Sequence, residues 1–542
     1  NTPMKTSLLL PLTLSLLLSI TLHAAKRPNI VFILADDLGI GDTNIYGGDR
    51  CLIETPNIDK LAQGGLKFTD AHVSASVCGP TRKAIMSGRY PWRDTRHDRG
   101  GAWGFAGLLF DPSITYTLGD MFREAGYSTN YIGKWHLGTV MTTKDGEVQG
   151  EANVDYKRPL KVGPPQFGFD YSFILPGSLD MYPYAYVRNN VWQGNIAAQK
   201  GWSAFNRVGP SEKDFEDHEV LETFFDEADA LIGKQSSQDP FFLFLALTAP
   251  HTPTSPGVKW QGKSKLGVYG DFVMEVDHAV ERVVTALKKQ GLYDNTLILF
   301  SSDHGPASYA GNILKATPGQ IHQLEEKGHH SNGLHRGYKF SVYEGGLHVP
   351  LIAHWPGTIK PERTSDALVG LNDLMATFAD IAETKIDPQN ASDSLSFANV
   401  LKNNGATPLR KSLIMQSAME VFVVRDGPWK LCLGPGSGAK GIHGNRPLPE
   451  DAWKSAWKSF DGKPSREAFQ KAPFVQLFNL SNDPHEDNNL AGKHPERVSK
   501  MVGMLQNDIK QGRSTPGPKL KNTKNVVIHQ RLLDFVRETI SK

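Results

Sequence analysis

Cysteine is scarce in this chain. There are three in 542 residues, Cys51, Cys78 and Cys432. So few cannot form a disulfide framework, and an odd number cannot all pair internally. Cys51 and Cys432 are free to bond or to stay apart. Charge of one sign is also missing. The chain has 59 Lys and Arg against 57 Asp and Glu, a net +2, which argues against a nucleic-acid binder with a global basic field. A polyanionic substrate would have to be held by local residues. Long apolar runs are absent after residue 25. The next, FFLFLALTA at 241–249, is far shorter than the roughly 20 residues a membrane helix needs and reads as a buried strand. No G-x-S-x-G elbow and no H-E-x-x-H occur, and the chain is read as lacking a phosphate-binding Walker loop.

What is present begins with a leader. Met4 and Lys5 precede SLLLPLTLSLLLSITLHAA, an apolar stretch interrupted by Pro11 and closed by small residues. Residues 4–25 are therefore read as a secretory signal peptide, with export to a periplasm, the extracellular space or, in a eukaryote, the lysosome. No stable membrane insertion is expected after cleavage. Hydrophobic residues make up 39% and charged residues 21%, a globular composition.

Downstream, buried strands alternate with amphipathic helices. RPNIVFILADDLGIGD carries a continuous β-rich run from Ile30 to Leu34, as expected of a strand covered on both faces. TPNIDKLAQGGLKFTDAH reads as a helix capped at Thr55 or Asn57, a Gly64-Gly65 stop and a strand. TLGDMFREAGYSTNYIGKWHLG and FVMEVDHAVERVVTALKKQGLYDNTLILFSSDHG repeat that order. The pattern predicts an α/β fold: a large mixed, mostly parallel sheet between helix layers. After about residue 405 short strand-like pieces lead to a helix in HPERVSKMVGMLQNDIK. The predicted organisation is a catalytic domain at 26–405 and a smaller α+β C-terminal subdomain at 406–542.

Polar residues collect just past the strand ends, where open α/β sheets bind ligands. Asp36 and Asp37 end one strand. Alone they read as a cap and a turn residue, but Asp303 and His304 end another strand in SSDHG. Two such pairs on one sheet edge point to a metal site, because adjacent buried carboxylates repel without a cation. Carboxylates favour Ca²⁺ or Mg²⁺, and the softer His304 leaves room for another divalent ion. GKWHLG adds Lys134 and His136, which share a side if the segment is extended. TAPHTPTSP adds His251 between prolines, and LHRGYKFSVYEGGLHVP adds Lys339 before a Gly345-Gly346 turn. Singly, each reads as an ordinary surface side chain. Together with Arg82 they describe a site for a tetrahedral oxyanion, with cations neutralising charge and histidines moving protons. The attacking group remains to be named. Cys78 sits in SASVCGPTRKAIMSGRY, in a tight turn beside Arg82 and before a helical run.

CGPTR resembles the C-x-P-x-R signature of the type I sulfatases, within the alkaline phosphatase superfamily. The resemblance spans nearly the whole chain after the leader. It runs through DDLGIGD, TPNIDKLAQGG, CGPTRKAIMSGRYP, GKWHLG, APHTP, SSDHG, RGYKFSVYEGGLHVP and LFNLSNDPHEDNNLA, in that order. This chain departs from the family's commoner residues at Gly79, Thr81, Lys83 and His304, but Cys78, Pro80 and Arg82 are intact. The resemblance implies that Cys78 is oxidised to Cα-formylglycine by a formylglycine-generating enzyme. It implies one Ca²⁺, with Mg²⁺ second, held by Asp36, Asp37, Asp303, His304 and residue 78. The hydrated aldehyde would attack sulfur with one hydroxyl and expel sulfate with the other, which loses its proton to His136. Arg82 and Lys134 would hold the diol and the metal site. Lys339 and His251 would contact sulfate, and His251 would protonate the leaving oxygen.

Two rivals follow. One is a phosphonate monoester or phosphodiester hydrolase of the same superfamily. The other is a non-catalytic sulfoglycan-binding protein in which residue 78 stays unconverted. Export favours a sulfated polysaccharide or oligosaccharide as substrate. Specificity is expected from WRDTRHDRGGAWGF (92–105), LDMYPYAYVRNNVW (179–192) and GHHSNGLHR (328–336), which are rich in aromatic, Arg and His residues. Each of their residues is as readily an ordinary surface one.

Overall fold

The strand Asn29–Asp36 is the centre of the architecture. Its residues are all buried, and they divide by parity between two cores: Ile30, Phe32 and Leu34 enter one, Val31, Ile33 and Ala35 the other. A strand with no solvated face needs cover on both sides, and the helices supply it. Pro56–Gln63, Val220–Ile232 and Val268–Lys289 pack on one face, and Cys78–Ser87, Leu118–Glu124 and Leu374–Ile381 on the other. This is a computed structural model, and it describes residues 27–94, 103–201, 207–310, 320–402, 410–418, 420–434, 436–438, 475–526 and 528. The leader at 4–25 and residues 95–102 of the first specificity stretch lie outside the described residues.

The sheet has ten strands. Five central ones run parallel, in the order Thr296–Ser302, Asn29–Asp36, Phe241–Pro250, Ser128–Lys134 and Tyr171–Leu175. Leu351–His354 joins antiparallel beside Thr296–Ser302, and short strands complete both edges. The expected α/β class and mixed, mostly parallel sheet are present. Toward the C-terminus, Ser412–Gln416, Phe422–Asp426, Trp429–Cys432 and Gln476–Asn479 form a four-stranded antiparallel sheet, followed by the helix Pro495–Gln511. Leu413, Val423, Leu431, Met501 and Leu505 belong to the same buried cluster as Ile30 and Phe32.

Several local expectations change. Thr55 does precede the helix Pro56–Gln63, but its hydroxyl accepts from the Asn44 amide at 2.9 Å. The first helical amides are satisfied instead by Asp277, whose carboxylate accepts from Asn57 N at 2.9 Å and Ile58 N at 2.8 Å. Cys78 is not in a turn: it is the first residue of the helix Cys78–Ser87. Pro80 is tolerated there because amides of a first helical turn have no intrahelical partner to lose. The Gly345-Gly346 turn is the middle of a short helix, Glu344–Leu347. A Cβ on Gly345 would stand 2.1 Å from Gly337 O, so only glycine lets these segments approach. The absence of a phosphate loop also needs correction at the level of letters, since GVKWQGKS at 257–264 matches that consensus. It does not act as one. The Gly262 and Ser264 amides donate to Asp271 at 2.8 and 2.6 Å, so amides a phosphate would need are already taken.

Candidate active site

Four parallel strands deliver their last residues to one edge. Ala35 pairs with Ser302 in the register of the two neighbouring strands, so Asp36-Asp37 and Asp303-His304 emerge side by side. Lys134 ends Ser128–Lys134, and His251 follows Pro250 at the end of Phe241–Pro250. Gly133 has φ +117°, and a Cβ there would stand 1.8 Å from Ala246 O. That position requires glycine, and it sets the backbone from which Lys134 projects. Cys78 and Lys339 arrive from outside the sheet.

Asp36, Asp37, Cys78 and His304 each bring a ligand atom within 4.8 Å of the others, and all four are buried. His304 Nε2 lies 3.2 Å from Cys78 Sγ and 3.2 Å from Asp37 Oδ1. Asp303 closes the group: its Oδ1 accepts from the Asp37 amide at 3.2 Å and its Oδ2 from Arg82 Nε at 3.1 Å. Cations surround these carboxylates. Lys134 Nζ donates to Asp36 Oδ2, Lys339 Nζ to both oxygens of Asp37 at 2.7 and 3.0 Å, and Arg82 Nη1 to the Lys134 carbonyl at 3.1 Å. His251 Nε2 is 3.8 Å from Asp37 Oδ2. Every candidate residue named from the sequence is thus in or beside one buried cluster, apart from one difference in backbone. His136 has φ +55°, so Trp135-His136 is not extended and the two side chains are not related by strand alternation. Lys134 and His136 are both fully buried nonetheless.

The electrostatics follow from burial among mixed charges. Burial pushes the Asp36 carboxyl up, but Lys134, His251, Arg82 and Lys339 outweigh it and hold the group well below the usual range. For Asp37 burial wins over Lys339, with Asp36 and Asp303 adding repulsion, and the carboxyl rises to about 8. Asp303 rises to about 6 by burial and the Asp36 charge. A divalent cation among them would reverse these rises, because it favours the ionised forms. Burial, aided by lysine charge, lowers His136, His251 and His304. The Cys78 thiol is pushed up to about 12 by burial, and a thiol so protonated is a poor nucleophile.

Several polar atoms of the cluster are unsatisfied. Asp36 Oδ1, Arg82 Nη2 and both ring nitrogens of His136 are buried without hydrogen-bond partners. Leaving such groups unmade costs about 1–3 kcal/mol each. Asp37 and His136 also hold φ of +65° and +55°, a conformation uncommon outside glycine. Unused oxygen and nitrogen donors around two or three carboxylates fit a hard divalent cation together with an oxyanion.

Sequence reading missed the role of Asp180. It lies in the 179–192 stretch, is buried, and places Oδ1 3.8 Å from His251 Nδ1. Arg207 binds its Oδ2 at 2.8 Å and sits 4.3 Å over the Trp103 ring. Its apolar neighbours Leu179 and Met181 hide it, and only a buried acid between them hints at a partner. Several described residues of the other two stretches are tied inside the protein. Trp92 and Arg93 are interior, and Arg93 pairs with Asp393 at 2.6 Å. His329 binds Asp42 at 2.9 Å, and Arg336 donates to the Glu486 carbonyl at 2.8 Å. These are internal ties, made where the chain needs buried charges paired.

Comparison with known proteins places this geometry. The sulfatase family profile matches residues 28–384. The chain is 29% identical over 523 residues to an N-acetylgalactosamine-6-O-sulfatase of Bacteroides thetaiotaomicron, covering 89% of this chain and 93% of that one. It is 31% identical over 449 residues to bovine arylsulfatase A, covering 77% of each. Among solved structures it is similar to a 6S sulfatase from a Bacteroides thetaiotaomicron locus for glycosaminoglycan metabolism. That match has a TM-score of 0.73 and 27% identity, and covers 89% of this chain and 99% of the other.

Proposed function

Because the chain belongs to the sulfatase family and is a sulfuric ester hydrolase, we propose that its substrate is a 6-O-sulfated amino sugar of a glycan and that residue 78 acts as formylglycine. The single observation behind the site assignment is the set of unpartnered buried donors and acceptors around Asp36, Asp37, Cys78 and His304. The substrate class is supported by the relatives named N-acetylgalactosamine-6-sulfatases, two of which are the Bacteroides and canine proteins.

Asp36, Asp37, Asp303 and His304 are the residues that would hold a divalent cation, with Ca²⁺ favoured by their oxygen-rich set. The cation would supply Lewis acidity, and a hydrated formylglycine made from Cys78 would supply the attacking oxygen. The remaining chemistry belongs to this chain's side chains. Arg82 and Lys134 fix Asp303 and Asp36. Lys339, buried and bonded to Asp37, offers positive charge to sulfate oxygens as charge builds on them. His251 Nδ1 is 2.5 Å from the Thr252 carbonyl. Donation to that carbonyl leaves the Nε2 lone pair facing the cluster; Nε2 takes up a proton when the anionic sulfate ester binds beside it, and passes that proton to the departing sugar oxygen. His136, with no competing partner, takes the proton that releases sulfate. Asp180 lies on the Nδ1 side of His251, its Oδ1 3.8 Å away, as a buried carboxylate beside the ring.

The wider reading keeps the leader 4–25, export from the cytosol, a maturation enzyme as partner, and a division at 26–405 and 406–542. Among the described residues no helix is long and apolar enough to cross a membrane. The deciding experiment has two parts. Mass analysis of the peptide around residue 78 should show the formylglycine mass. kcat/KM should be larger on 6-O-sulfated N-acetylgalactosamine than on its 4-O-sulfated isomer. An unmodified cysteine in active enzyme would overturn the nucleophile, and a preference for the 4-O isomer would overturn the substrate.

A further inference from the structure

A second cluster of metal-ligating side chains lies away from the catalytic one. His72, Glu344 and His348 bring ligand atoms within 4.8 Å of one another, and all three are buried. They come from separate segments. His72 ends a two-residue strand, Glu344 opens the short helix Glu344–Leu347, and His348 follows it. A fourth ligand type stands beside them: His335 Nε2 is 2.9 Å from His348 Nδ1. The His72 and His348 rings stack with centroids 4.8 Å apart.

Hydrogen bonding satisfies this group only in part. His72 Nδ1 and His348 Nε2 are buried without hydrogen-bond partners. The facing nitrogens of His335 and His348 share one proton in an N–H···N hydrogen bond, which a metal ion taking both lone pairs would replace. His72 Nε2 meets a carboxylate, Glu344 Oε2 at 2.7 Å, and a guanidinium, Arg425 Nη1 at 3.0 Å. Whichever protonation state it takes, one of those contacts is unfavourable. The site is reachable. Glu344, His335 and His348 line a groove of about 910 Å³ shared with Asp70, Arg425 and Trp429.

The geometry points to a transition-metal site of the zinc class, built from His72, His335, His348 and Glu344 and open to the groove. Imidazole nitrogens with one carboxylate suit zinc, whereas the carboxylate-rich catalytic cluster suits calcium. Charges nearby shape it. Lys430 occupies Glu344 Oε1 at 2.8 Å, leaving Oε2 for the cluster. Arg425 must turn from His72 toward Asp70, both of whose oxygens its Nη2 already contacts at 3.2 Å. Occupied, the site would pin residues 335–348, the segment that carries Lys339.

The test uses the full chain, stripped of divalent ions and returned to calcium. Titration with Zn²⁺, followed by metal analysis, should show one saturable equivalent per chain at micromolar concentration. Co²⁺ should give the visible absorption of a nitrogen-ligated ion, and the zinc-loaded protein should melt several degrees higher, as expected for a ligand that binds only the folded state. His348→Gln should lower zinc affinity at least tenfold, and Asp36→Asn should keep it. His335→Ala, at the half-buried groove wall, gives the same answer if His348→Gln does not fold. No saturable zinc in the wild type would overturn the proposal. So would zinc lost in Asp36→Asn but kept in the histidine variants.

Discussion

Two buried charge clusters in this protein look alike in composition and differ in how completely they are paired. At the catalytic edge, Asp36 Oδ1, Arg82 Nη2 and both His136 nitrogens are left without partners. Elsewhere in the interior, Arg93 and Arg410 meet Asp393 and Asp373. Arg93 binds both oxygens of Asp393 at 2.6 Å, and its Nη1 adds Asp508 O at 3.1 Å and Asn522 Oδ1 at 2.9 Å. Arg410 Nε binds Asp373 Oδ2 at 2.8 Å, and Nη2 binds the Asp393 carbonyl at 2.8 Å. The two carboxylates also accept from the Tyr90, Ser514, Gly370 and Leu395 amides. A structural cluster is closed within the chain. A functional one keeps valence for something that arrives later.

That contrast can be broken at several points. Cys78→Ala should abolish turnover while leaving far-UV circular dichroism and Tm near the wild type; measurable activity would remove residue 78 from the mechanism. Asp36→Asn should remove several kcal/mol of transition-state stabilisation, about a thousandfold in kcat. Recovery of that loss by raising calcium would show a lowered affinity rather than lost chemistry. His251→Ala should slow a sulfated sugar by about a hundredfold, at the low end for general acid catalysis. It should barely slow a nitrophenyl sulfate, whose leaving group needs no proton. Equal losses on both would make His251 a sulfate-binding residue only. His136→Ala should impair both substrates, because release of sulfate is common to them.

The closed cluster should respond in stability and not in rate. Arg93→Ala strands Asp393 in the interior, a loss of roughly 3–5 kcal/mol by denaturant titration, with kcat of the folded fraction unchanged. Burial pushes Asp393 up, but Arg93 and its hydrogen bonds hold it below the ordinary carboxylate value. A carboxyl depressed by folding stabilises the protein above its unfolded value of about 4 and loses that contribution as pH falls through the folded one. The variant should lack this acid-sensitive component. A variant as acid-sensitive as the wild type would place it elsewhere.

Much of this is legible in the sequence. NIVFILAD is apolar without alternation, as a strand covered on both faces should be, and the acidic pairs at two such strand ends do meet in one buried cluster. The motif around Cys78 carried the rest of the catalytic set. What stayed hidden depends on distance in the chain. Asp277 caps a helix 220 residues away, Arg93 answers an aspartate 300 residues on, and Asp180 reaches His251 across a fold that no local pattern describes. The described Arg and His residues of the predicted specificity stretches were hidden for the same reason. They resemble a binding surface until the buried acids opposite them are known. The start of the helix at Cys78 was obscured by Pro80, a residue that signals a turn in sequence but is permitted within a first helical turn.

The C-terminal sheet has no interior of its own among the described residues: Leu413, Val423, Leu431 and Leu505 share theirs with the central strand. Heat should therefore melt the protein in a single transition rather than release the tail end first. A fragment cut near residue 405 would expose the part of that core which Leu413, Val423, Leu431 and Leu505 cover, and aggregate. Damage at Leu505, remote from sulfate, should be felt as lost yield of active enzyme, with the chemistry of the surviving molecules intact.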